Sequence, residues 1–336
     1  AVNRTASIYP IIVASGHFTL NLMDESYPIA RDVDVILCRN VLIYFDKPTQ
    51  AAVITALARR PDATITAAIV AATRHTAATV RTAAINALGD LPGDTSLVTL
   101  LATLGSSDNF DDAKLARASL ARLHGPGVSA AVLAGAEKGP AQKRALFIEQ
   151  IASRNLTEGL PFLHQSRQDP DATIRTAAVG SLGELAPVSD QGLLIEWAAG
   201  ATDSTEQTRA LRSLVSVTLR NPDTAKRALP IYVALEKAAP ATVVGLLPVL
   251  GRLGGTESAE CAARLAISAN ATVADAAASA LARWPDRSAQ PSLVMVAAKA
   301  TVASARSAAN QAAFRYFERT REVWTAAESS LVTQLL

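Results

Sequence analysis

Aromatic side chains supply only 4% of this 336-residue chain. Alternating runs of bulky β-branched residues are scarce after residue 45. Both shortages argue against an all-β fold. The two cysteines, Cys38 and Cys261, lie far apart and follow no metal or redox spacing, which excludes a disulfide framework. No charge of one sign dominates: 32 basic residues face 30 acidic ones, for a net charge of +2. A dedicated nucleic-acid binder carries a basic excess or stripe, and none is visible, so no nucleic-acid partner is expected. No apolar run reaches the ~18 residues of a membrane span. The chain opens on Ala1 rather than Met, with no basic stretch leading into an apolar core. No signal peptide is recognisable, and the missing Met points to processing, truncation or a fragment. A cytoplasmic location is expected; the alternative is an exported protein whose leader has been removed. His17, His75, His124 and His164 show no ligand spacing, so no metal site is expected. No Ser/His/Asp or Cys/His constellation stands out, and no catalytic residue is assigned.

What the chain has in quantity is alanine, within an apolar fraction of 49%. Alanine loses no rotamer entropy in a helix and lets helix axes approach closely. Internal repetition follows. "TVRTAAINALGDL" (79–91) and "TIRTAAVGSLGEL" (173–185) agree at eight of thirteen positions, 94 residues apart. That offset is about three periods of 31. Helical patterns begin near Ala78, Asp111, Ala141, Asp171, Thr205, Pro240, Ala271 and Thr301, at spacings of 33, 30, 30, 34, 35, 31 and 30. Partner helices fall between them, at 95–104, 127–137, 157–167, 190–200, 224–238, 257–268 and 289–299. Each unit is a helical hairpin. Gly and Pro punctuate the joints, as in "GDLPGD" (89–94), "HGPG" (124–127) and "RLGGTE" (252–257). Asp171 and Thr205 suit helix N-caps. In 173–185 the apolar residues Ile174, Ala177, Ala178, Leu182 and Leu185 share one face. One hairpin cannot bury both its faces, so neighbours must stack into an array.

The strings "DATIRTAAVGSLG" (171–183) and "AATVRTAAINALG" (77–89) resemble the second helix of HEAT repeats in their short bacterial form, and "VADAAASALARWPD" (273–286) is a looser copy. The resemblance implies an all-α fold over residues 60–336: a right-handed α-α superhelix of seven to eight hairpins that holds a protein on its concave face. On that face a basic ladder of Arg81, Arg117, Arg144, Arg175, Arg209 and Arg212 would contact the partner. A second reading turns Arg81 and Arg175 inward, onto neighbouring acids or carbonyls. Trp197, Trp284 and Trp324, with Phe314, Tyr316 and Phe317, form either an aromatic contact surface or plugs in an alanine-rich core. A C-terminal amphipathic helix over 322–336 would cap the last repeat.

Residues 1–59 read differently. "VDVILC" (33–38) has the pattern of a buried strand, and "DKPTQAAVITALARR" (46–60) starts a helix with Pro48 early in it. Strand, loop and helix make an α/β-like segment. A lone strand leaves its ladder groups unpaired, so 33–38 is expected to pair with 8–13 or 17–21. The helix at 50–59 is expected to cover Val35, Leu37, Ile43 and Phe45. The stretch 21–57, and above all "CRNVLIYFDKPTQ" (38–50), closely resembles part of the catalytic domain of CheR-type chemotaxis receptor methyltransferases. Such enzymes transfer a methyl group from S-adenosylmethionine to receptor glutamates. The resemblance implies that Asn21, Arg39 and Asn40 lie near the cofactor. It covers roughly 45 residues. The family's glycine-containing cofactor loop, its ribose-gripping acid and its later Gly-Gly segment have no counterpart here, and no methyl transfer is expected.

The leading expectation is therefore a non-catalytic protein-binding scaffold without a cofactor. The alternative is an S-adenosylmethionine-dependent protein-glutamate methyltransferase, or an inactive fragment of one. A third reading, motivated by the abrupt change near 57–62, has two unrelated pieces joined end to end.

Overall fold

The structure, a computed structural model, describes residues 9–13, 16–20, 46–59, 62–224, 226–319 and 333. It divides into two compact units, Ala1–Val128 and Ser129–Leu336.

In the first unit, strands β1 (Tyr9–Val13) and β2 (Gly16–Leu20) form an antiparallel hairpin, with Tyr9 opposite Leu20 and Val13 opposite Gly16. The two segments expected to pair with 33–38 thus pair with each other. The step from Val13 to Gly16 is short, so closing this loop costs little chain entropy. The expected strand at 33–38 and the burial of Val35, Leu37, Ile43 and Phe45 lie outside the described residues.

Five helices follow: α1 (Lys47–Leu57), α2 (Ala63–Ala72), α3 (Ala78–Leu88), α4 (Thr95–Gly105) and α5 (Phe110–Arg122). The Asp46 side chain caps α1 by accepting from the Thr49 amide at 2.8 Å, and Pro48 sits in the first turn, where its missing N–H is harmless. Helices α1, α3 and α5 pack in succession as one layer, with α2 against α3 and α4 against α5. Ile65, Ile69, Ile85, Leu88, Leu101 and Leu120 are fully buried in this core. The joints interlock as well. The Gly93 amide donates to the His124 carbonyl, and Gly125 (φ 148°) passes so close to Gly93 that a Cβ would collide with its carbonyl.

The second unit takes in all but the first residue of α6 (Val128–Glu137). It continues through α7 (Ala141–Ser153), α8 (Leu160–Gln165), α9 (Ala172–Leu185), α10 (Gln191–Gly200), α11 (Ser204–Leu219) and α12 (Leu229–Lys237). It ends with α13 (Pro240–Leu253), α14 (Gly255–Ala266), α15 (Ala271–Leu281), α16 (Gln290–Lys299) and α17 (Ala303–Arg319). Here α7, α9, α11, α13, α15 and α17 pack each on the next. The eight expected odd-helix starts fall within two residues of the observed ones. In α9 the predicted stripe is the buried face: Ile174, Ala178 and Leu182 are inaccessible, and Leu185 is half-buried at the helix end.

One cap differs from expectation. Asp171 caps α9 by accepting from the Thr173 amide, but α11 is capped by Asp203, not Thr205. The Asp203 carboxylate takes both the Thr205 and Glu206 amides, at 2.9 and 2.8 Å. A charged acceptor two residues upstream satisfies two free donors at once, and Thr205 becomes part of the first turn. The expected helix at 322–336 lies outside the described residues, apart from Thr333.

Candidate functional site

The fourth residue of α3, α7 and α9 is an arginine: Arg81, Arg144 and Arg175. Each reaches forward along the array. Arg81 Nε donates to Asp112 of α5 at 2.8 Å, and its Nη1 donates to the carbonyls of His75 and Thr76. Arg175 repeats this pattern. Its Nε and Nη2 both reach Glu206 Oε2 of α11, at 2.9 Å, while Nη1 donates to the carbonyls of Asp169 and Pro170. Arg144 donates to Asp169 at 2.8 Å and to the Ala136 carbonyl at 3.0 Å. Each guanidinium binds backbone carbonyls and a carboxylate further along the chain at the same time, a use suited to Arg's fixed fork of donors.

Glu206 is the most enclosed of these acids. Its side chain is 3% exposed, and its other oxygen accepts from Trp197 Nε1 at 2.8 Å. Hydrogen bonding to Glu206 lifts the Arg175 guanidinium above its ordinary value, so Arg175 keeps its charge. The sequence contains the signal for both pairs, because arginine and acid stand 31 residues apart in each, one repeat period. Arg117 Nε donates to the Gly105 carbonyl at 2.8 Å.

Arg209 and Arg212 of α11 differ. Both are exposed, and neither has a hydrogen-bond or ion-pair partner among the described residues. They line an open groove of about 750 Å³ across α7, α9 and α11. Ala145, Ala172 and Ala177 leave it wide, and Thr173, Thr176 and Thr208 place hydroxyls along it. Glu149 and Asp203 are the acids of its lining, and Asp203 is occupied as the α11 cap. The Arg209 guanidinium lies over Gly180, in the space a Cβ would need. The structure thus brings Arg209 and Arg212 together in one groove, while Arg175 lies outside its lining and is held by Glu206.

A sequence profile for HEAT repeats matches residues 42–121. Over that stretch the chain carries HEAT repeats. Most of this chain is similar in fold to a solved structure, that of Kap121p bound to RanGTP, which superposes with a TM-score of 0.50 at 12% identity. That match covers 86% of this chain and 36% of Kap121p. A second profile, the S-adenosylmethionine-binding domain of CheR methyltransferases, matches residues 11–64 and overlaps the HEAT match across α1. The chemotaxis protein methyltransferase of Borreliella burgdorferi and chemotaxis protein methyltransferase 2 of Pseudomonas aeruginosa are each 58% identical over 31 residues. This is 9% of the present chain and 11% of theirs, so the chain spans about a tenth of these relatives.

Asn21, Arg39, Asn40 and Cys38 lie outside the described residues. Cys261 is buried, and burial pushes its thiol pKa up, away from the reactive thiolate. His164 pairs with Asp190 at 2.7 Å, and His75 accepts from the Ala77 amide. Among the described residues no group of three or more His, Cys, Asp or Glu side chains could hold a metal ion. No helix among them is long and apolar enough to cross a membrane. Trp197 is a core plug at 2% exposure, Trp284 is half-buried, and Phe314 is 44% exposed. Trp324 is outside the described residues, and nothing is described of the Tyr316 and Phe317 side chains.

Proposed function

We propose that this chain is a non-catalytic scaffold that holds a protein partner against the α7–α9–α11 face of its HEAT array. The observation that carries this reading is the groove: an open surface lined by hydroxyls and by two guanidiniums that are unpaired among the described residues. Repeat arrays bind through such extended surfaces rather than through one deep pocket. The Kap121p structure with a similar fold was solved bound to RanGTP, which supports the same use of a solenoid. A photo-crosslinking residue placed at Thr176 or Thr208 tests it, with Gly192 and Ala199 of α10 as control positions. The same partner, identified by mass, should be captured from both groove positions and rebind the purified chain. Equal capture from α10, or none from the groove, would sink the reading.

A second reading has its own support in the CheR match, which includes Asn21, Arg39 and Asn40. Under it the chain is an S-adenosylmethionine-dependent protein-glutamate methyltransferase, or a remnant of one. Calorimetry with S-adenosylmethionine separates the two. Binding in the micromolar range would favour the methyltransferase, and the absence of heat favours the scaffold.

A further inference from the structure

We infer that the partner presents an acidic, extended peptide segment, and that Arg209 and Arg212 read its carboxylates. This inference rests on the scaffold reading above. Its basis is a contrast among the arginines of the array. Arg81 and Arg175 are held by an acid of the next odd helix, and Arg144 by Asp169 of the loop before α9, at 2.8–2.9 Å. They are cross-braces, and their charge is already neutralised. Arg209 and Arg212 have no such acid, are exposed, and stand three residues apart on α11, so they project over one face of that helix.

The surroundings narrow the ligand class. The N-termini of α9 and α11 border the same groove through Thr173 and Thr205, but each is already capped by a carboxylate, Asp171 or Asp203, so the two guanidiniums are what a ligand carboxylate would meet. Thr176 and Thr208 have no hydrogen-bond partner among the described residues. Their hydroxyls both donate and accept, which suits the alternating N–H and C=O groups of an extended backbone. A nucleic-acid strand fits less well. Its continuous phosphate charge would run against Glu149 and Asp203, and the chain as a whole carries a net charge of only +2. Carboxylates spaced along a peptide can meet the guanidiniums and avoid the two acids.

Gly180 provides a test that removes no charge. The Arg209 guanidinium rests where a Cβ at Gly180 would stand, so Gly180→Ala displaces the guanidinium while improving the helix propensity of α9. Binding and stability should then move in opposite directions.

The probe is a fluorescein-labelled octapeptide with four glutamates, alongside versions with glutamine or lysine in their place and a thymidine oligonucleotide. Anisotropy titrations use the full chain at low salt. The glutamate peptide should bind about tenfold tighter than the glutamine peptide, a margin two exposed ion pairs can supply. That margin should shrink as salt is raised. It should vanish in Arg209→Ala/Arg212→Ala and fall in Gly180→Ala, with melting curves no lower than wild type; Arg264→Ala on α14 serves as a neutral control. Should the double variant melt early, Thr208→Glu takes its place: it sets a carboxylate beside intact arginines and should also abolish the margin. Equal binding of the glutamate and glutamine peptides, a margin that survives the double variant, or preferential binding of the oligonucleotide would overturn the inference. Crosslinks from Thr176 and Thr208 without a glutamate preference would remove this inference alone; no crosslinks would remove the scaffold reading with it.

Discussion

The α3–α5 pair of the first unit and the α9–α11 pair of the second are built on the same two contacts, 94 residues apart. In one contact an arginine reaches an acid of the next odd helix: Arg81 to Asp112, and Arg175 to Glu206. In the other a glycine lets the helices approach. A Cβ on Gly89 would stand 2.8 Å from the Ser119 backbone, and one on Gly183 would stand 2.9 Å from that of Ser213. The difference lies in the acid. Asp112 is 12% exposed and is helped by Asn109 Nδ2 at 2.9 Å. Glu206 is 3% exposed and is held between a guanidinium and an indole N–H. The same sequence device thus braces a mostly buried joint in one place and a sealed joint in the other, and the degree of burial decides what breaking it costs.

The largest effect is expected from Arg175→Met. It leaves Glu206 enclosed with Trp197 as its remaining side-chain partner, a loss of ~3–5 kcal/mol. Hydrogen exchange in α9 and α11 measures it, and adding Glu206→Leu should recover most of the loss. Arg81→Met should cost less, ~1–3 kcal/mol, because Asp112 is less enclosed than Glu206 and keeps Asn109 as a donor. Equal losses at the two sites would mean that burial does not govern the difference. Next come Gly89→Ala and Gly183→Ala, each expected to cost ~1–3 kcal/mol because the obstacle is backbone. Gly180→Ala, whose obstacle is only a flexible side chain, should instead be neutral or gain up to ~1 kcal/mol. Denaturant melts of the three variants give the order directly.

The smallest effect is a pH dependence. Hydrogen bonds from the backbone and side chain of Thr173 hold the Asp171 carboxyl below the usual range. A depressed value means that the contribution is present above the unfolded pKa and is lost as pH falls through the folded one. The first turn of α9 should therefore loosen below about pH 4. Asp171→Asn should flatten that profile, as followed by amide exchange at Thr173 and Ile174.

The helices were legible because two independent signals coincide: apolar residues at helical spacing and Gly or Pro at the joints. Ala78, Ala141, Pro240 and Ala271 are helix starts in both sequence and structure. Thr205 misled because Thr and Asp are both good caps, and choosing between them depends on which amides the carboxylate reaches. Arg81 and Arg175 were legible as a repeated position, and the reading that turns them inward onto acids and carbonyls is the one the structure shows. Arg209, placed with them on the basic ladder, has no such acid among the described residues and lies over a glycine instead. The β-hairpin escaped for a different reason. Residues 9–13 and 16–20 each matched a partner for 33–38, and sequence gave no ranking between a local and a distant pairing.

Helix α1 falls within both the CheR-like and the HEAT matches, and it packs directly on α3. For anyone trimming the chain, this sets where to cut. A product begun after residue 60 would strip α3 of one of its packing neighbours and bare part of its surface, inviting aggregation. A product begun at Asp46 keeps α1 together with its own cap.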